Sequence, residues 1–123
     1  MRALISIFML IISVAINADD IKNYKHYQID SNISDGKGPY YAIYIKKSDP
    51  CIYLDDFRKD ISKKYCEMGN SGLDLKRDHP TIYPSNLRVS GTRLYFIVAA
   101  PWNEQKCEIY FPDKSITCES TGR

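Results

Sequence analysis

The stretch Ser48-Asp49-Pro50-Cys51-Ile52-Tyr53-Leu54-Asp55-Asp56-Phe57-Arg58-Lys59-Asp60-Ile61-Ser62-Lys63-Lys64-Tyr65-Cys66-Glu67-Met68 decides the fold class. Leu54, Phe57, Ile61 and Tyr65 recur at three and four residues, while Arg58, Lys59, Asp60, Lys63 and Lys64 fill the opposite side, the pattern of an amphipathic helix. Asp55 is a suitable N-cap and Gly69-Asn70 a suitable stop. An earlier start at Ser48 would place Pro50 in the first turn, where proline is tolerated. On this reading the stretch is the one helix of the chain.

The segments around it read as β-structure. Residues 40–46 put Tyr41, Ile43 and Ile45 on one face against Tyr40, Ala42, Tyr44 and Lys46 on the other, which is strand periodicity. A short strand around Tyr24, Tyr27 and Ile29 precedes a run of turn formers over 30–39. Residues 69–86 show no sustained period. Residues 87–89, the Ser90-Gly91-Thr92 turn and residues 93–100 form a hairpin, and Pro101-Trp102-Asn103-Glu104-Gln105 connects it to 106–111. Pro112-Asp113 then turns the chain into 114–119. The expected fold is α+β: one helix packed on an antiparallel β-meander, with two disulfides. No internal repeat is evident.

The N-terminus points to export. Met1-Arg2 is followed by an uncharged run over residues 3–16, and small residues stand at Ser13, Ala15 and Ala18, as in a signal peptide over 1–18. Cleavage after Ala18 is the first choice, after Ala15 the second. The run falls short of the ~20 apolar residues a bilayer-spanning helix needs, and no second apolar run follows, so no membrane span is expected after cleavage. Residues 19–123 are then one domain of 105 residues in the periplasm or outside the cell.

All four cysteines, Cys51, Cys66, Cys107 and Cys118, lie in that part, and an even count in an exported chain predicts pairing. With Pro112 and Asp113 as loop residues, Ile109 faces Ile116 and Cys107 faces Cys118, so one register satisfies both the alternation and the thiols. The rival is a bulged turn with Lys114 left-handed, which places Cys107 against Glu119. Cys51 with Cys66 is conditional. On one continuous helix they would lie roughly 22 Å apart, beyond the ~7 Å limit for bridged Cα atoms. The pair therefore requires the later helix start, and the earlier start favours crossed pairings to the hairpin.

Composition narrows the partners. The formal charge is +2, and loss of Arg2 leaves +1 with acids interleaved among the bases, which argues against a nucleic-acid partner. Ten tyrosines and one tryptophan suit a binding surface, though tyrosines also fill strands. Asn32-Ile33-Ser34 is a glycosylation sequon, meaningful only on a eukaryotic secretory route. No metal-ligand spacing, nucleophile elbow or phosphate-cradling loop occurs, so neither metal nor cofactor is expected.

The function read from these features is that of an exported, non-enzymatic binding protein. It would be an inhibitor or immunity-type protein acting on a hydrolase or toxin outside the cytoplasm, or a secreted recognition module, with a protein or a glycan as partner. The candidate contact residues are Trp102, Asn103 and Glu104 in a strand connection, and Tyr40 and Tyr44 on the outer side of residues 40–46. The alternative is a small secreted hydrolase in which Asp78 orients His79 as a base and Arg77 holds an anion.

Overall fold

The computed structural model describes residues 21–30 and 39–122; the expected signal peptide and the Asn32 sequon lie outside them. A 3-10 turn, Ile21–Asn23, leads into eight strands. They are β1 (Tyr24–Ile29), β2 (Tyr41–Lys46), β3 (Asp49–Asp56), β4 (Ile61–Tyr65), β5 (Tyr83–Ser90), β6 (Arg93–Ala99), β7 (Gln105–Tyr110) and β8 (Ser115–Ser120). Two four-stranded antiparallel meanders result, β1-β2-β3-β4 and β5-β6-β7-β8. Ile43, Ile45, Ile52 and Leu54 of the first and Leu94, Phe96, Val98 and Ile109 of the second belong to one buried cluster. The sheets therefore pack face to face as a sandwich. Met68, Leu73, Leu75 and Ile82, from the connection between the sheets, join the same core.

This overturns the α+β expectation. No α-helix occurs among the described residues, and the stretch read as a helix is the hairpin of β3 and β4. The helical stripe is broken where it matters: Leu54 and Tyr65 are buried, but Phe57 and Ile61 stand 48% and 47% exposed. A period of two accounts for the burial instead, with Ile52, Leu54 and Asp56 turned inward and Tyr53 and Asp55 less buried. Asp55, the expected N-cap, instead accepts side-chain bonds from Tyr44 and Ser62, and the neighbouring Asp56 bonds the backbone. Asp56 Oδ1 accepts the Arg58 and Lys59 N–H groups at 3.1 and 3.2 Å, the same side-chain-to-backbone bonding that an N-cap makes, here closing a turn.

Both disulfides follow from strand register. Cys107 faces Cys118 directly, with Cα atoms 4.1 Å apart. Cys51 and Cys66, with Cα atoms 4.7 Å apart, lie one step beyond the Ile52/Tyr65 pair. These are the separations of opposed residues in an antiparallel ladder. Lys114 is left-handed (φ 60°), as the rival turn supposed, yet the register is the unslipped one, because the loop spans four residues, 111–114, rather than two or three.

The two sheets also share a plan that the sequence conceals. In each, the last two strands are a hairpin stapled by a disulfide and closed by a four-residue turn whose final residue, Asp60 or Lys114, is left-handed. In each, the first turn residue is a phenylalanine whose N–H donates to the carbonyl just before the second strand, Phe57 to Tyr40 and Phe111 to Thr92, both at 2.9 Å. The side chains diverge because the strands meet the core with opposite parity. In β2 it is Tyr41, Ile43 and Ile45 that enter the shared core cluster, whereas in β6 it is Leu94, Phe96 and Val98. Phe111 is accordingly buried against Tyr41, with ring centroids 4.9 Å apart, while Phe57 faces out.

Candidate functional site

The outer face of the first sheet carries a row of aromatic side chains. Tyr27 of β1 lies opposite Tyr44 of β2, Tyr44 opposite Tyr53 of β3, and Tyr53 opposite Lys64 of β4, so each strand contributes one residue. Alternation sends these residues outward wherever Ile43, Ile52 and Leu54 point in. The rings stand against one another: Tyr44 and Tyr53 are 5.2 Å apart and parallel to 4°, Tyr27 and Tyr44 are 5.8 Å apart at 16°. Tyr24 closes the cluster edge-on, 5.4 Å from Tyr27 and 5.2 Å from Tyr44. The Lys46 and Lys64 ammonium groups sit 4.6 and 5.6 Å from the centre of the Tyr53 ring.

Polar groups rim the row. Tyr44 donates its hydroxyl to Asp55 Oδ1 at 3.1 Å, and Ser62 donates to the same oxygen at 2.6 Å. Tyr53 donates to Asp49 Oδ2 at 2.6 Å, and Lys64 pairs with that oxygen at 2.7 Å. Burial alone would push the Asp49 carboxyl up. The bonds from Lys64, Tyr53 and the Cys51 N–H outweigh it and hold Asp49 at about 2. Burial, followed by the Asp55 carboxylate, raises Tyr44 and Tyr27, and the bond to Asp49 together with burial raises Tyr53. These shifts favour the carboxylate at Asp49 and the neutral phenol at Tyr27, Tyr44 and Tyr53.

Tyr27 is 51% exposed at the open end of the row, whereas Tyr44 is held between Tyr27 and Tyr53 with both ring faces covered. A sugar ring stacks on an uncovered aromatic face, and Tyr44 in the middle of the row offers none.

The residues expected from sequence are dispersed. Tyr44 is at the centre of the row. Tyr40 precedes β2 and lies under the Arg58 guanidinium, 4.4 Å from its ring centre, at the turn between β3 and β4. Trp102 belongs to the other sheet, in the turn between β6 and β7, where it is 58% exposed. Asn103 and Glu104 are engaged in holding that turn: Asn103 Oδ1 accepts from Gln105 at 2.7 Å and Glu104 Oε1 from Thr121 at 2.8 Å. Tyr24, Tyr27, Tyr53, Lys46 and Lys64 were missed. Reading 49–56 as a strand would have exposed Tyr53 and Asp55 as a second outward alternation beside Tyr44.

Arg77, Asp78 and His79 do not assemble as the hydrolase reading supposed. Arg77 grips Asp78 through two bonds of 3.1 and 2.8 Å, and Asp78 also accepts the Asp74 N–H. No hydrogen bond joins Asp78 to His79 among the described residues, and His79 instead lines a groove together with His26. No cluster of three or more potential metal-ligating side chains occurs among the described residues.

Comparison with family models, curated proteins and solved structures returns no match.

Proposed function

We propose that the protein is exported and acts as a non-enzymatic binding protein outside the cytoplasm, using the outer tyrosine face of its first sheet to engage another protein. The row Tyr27, Tyr44 and Tyr53 carries this reading. Aromatic side chains with polar tips dominate protein-recognition surfaces, and a stack rigid in the free state loses little entropy on binding. The pairing of Lys64 with Asp49 leaves the face without strong net charge, which suits the depleted-charge centre of an interface. Two disulfides in so small a chain agree with an oxidising compartment. A hydrolase or toxin held inactive is the partner class to examine first.

The test is quantitative affinity capture from the native compartment with the mature chain, a Tyr27→Ser/Lys64→Glu variant and a Trp102→Ala variant in parallel. The partner recovered with the parent chain should fall at least tenfold with the first variant and persist with the second. Equal loss with Trp102→Ala alone would transfer the surface to the β6–β7 turn. Recovery of glycan in place of protein would refute the partner class.

A further inference from the structure

The geometry points to a second site, independent of the tyrosine face: a groove between edge strands of the two sheets that binds a small organic carboxylate with a flat apolar body. It runs between β1 and β5, with a volume of about 370 Å³, at the lower end of the ~300–1,000 Å³ typical of small-molecule sites. Three strand ladders carry a register shift, and each shift falls at residues lining this groove. The extra residue in β1 is Lys25, so Lys25 and its neighbour His26 both line it, which a regular strand would not permit. The shift between β2 and β3 lies at Ile45 and Pro50, and the shift in β5 at Leu87, next to left-handed Asn86. Bulges re-aim side chains and concentrate at sheet edges and beside functional sites. Here three of them converge.

Lys25, His26 and His79 are the ionisable bases of the lining, and no Asp or Glu lines it. Neither Lys25 nor His79 has an ion-pair partner among the described residues, and the nearby Asp78 is engaged by Arg77. The remaining walls are rigid and apolar, with Pro50, Pro80 and Pro84 among them. A carboxylate meeting Lys25 and His79, with a flat hydrocarbon body between the prolines, satisfies both halves of this lining.

Phenylacetate and the isosteric, uncharged phenylacetamide are the probes, titrated into the uniformly 15N-labelled mature chain. Phenylacetate should shift the amide resonances around residues 25–26, 79 and 83–87, and phenylacetamide should bind at least tenfold more weakly. Lys25→Ala/His79→Ala alters only exposed side chains. Provided its spectrum otherwise matches the parent, it should lose that tenfold preference. Equal affinity for acid and amide, an unchanged preference in the double variant, or no shift in the groove with millimolar phenylacetate would each overturn the assignment.

Discussion

Asp56 and Lys114 show how one residue pair ties the sheets together. Asp56 is closed to solvent at the end of β3, and Lys114 reaches it from the β7–β8 turn at 2.9 Å. Tyr65 donates its hydroxyl to the Lys114 carbonyl at 2.8 Å and Lys63 Nζ donates to it at 3.3 Å, so three side chains of the first sheet hold the same turn. Burial alone would push the Asp56 carboxyl up. The Lys114 ammonium and the Lys59 and Arg58 N–H groups outweigh it, and the carboxyl lies below its usual range. A depressed folded value means that this stabilisation is present above the ordinary carboxylate range and is lost as pH falls through the folded value. Lys114→Met should lower the unfolding free energy by about 3 kcal/mol, because Asp56 is left buried without its counter-ion. It should also shrink the acid-induced loss of stability, as urea unfolding at neutral and acid pH would show.

The tyrosines make a second residue-scale prediction. Tyr27, Tyr44, Tyr53 and Tyr65 are raised, Tyr53 chiefly by its bond to Asp49 and the others chiefly by burial. Alkaline titration followed by phenolate absorbance should therefore show these four ionising late, and the delay should vanish once the chain is unfolded in urea. Tyr44 was legible in the sequence as an outward residue of an alternating strand. Its stacking partners were not, because Tyr27 and Tyr53 become its neighbours only through pairing between strands.

At the scale of elements, local pattern succeeded where one element formed its own contacts and failed where two readings shared the same residues. The Ser90-Gly91-Thr92 turn was readable: Gly91 (φ 61°) takes the first position of a two-residue loop between β5 and β6. So was the register of β7 and β8, since Ile109, Ile116 and both cysteines demand the same face. The β3–β4 hairpin was not. Spacing of three and four around Leu54, Phe57, Ile61 and Tyr65 imitates a helix, and only the opposite sheet shows which of them the core takes. The disulfide condition held the clue, since Cys51 and Cys66 could not meet across a continuous helix but meet naturally across a hairpin. Each bridge closes a loop of similar length, with sequence separations of 15 and 11. Paired replacement by serine should thus cost about 3 kcal/mol for either bridge. Non-reducing peptide mapping should recover Cys51 with Cys66 and Cys107 with Cys118, and a fragment joining Cys51 to Cys118 would contradict the hairpin plan.

For the whole molecule, two stapled meanders bury one core, and the outer face of the first sheet carries the tyrosine row. Far-UV circular dichroism of the mature chain should show β-structure and lack the paired minima of a helix. The recognition claim is tested most directly by amide hydrogen exchange of the complex formed with the captured partner. Protection should increase in β1, β2 and β3, across residues 24–29, 41–46 and 49–56, and stay unchanged at 101–104. Protection confined to the turn around Trp102, with β1 to β3 exchanging as in the free protein, would contradict it.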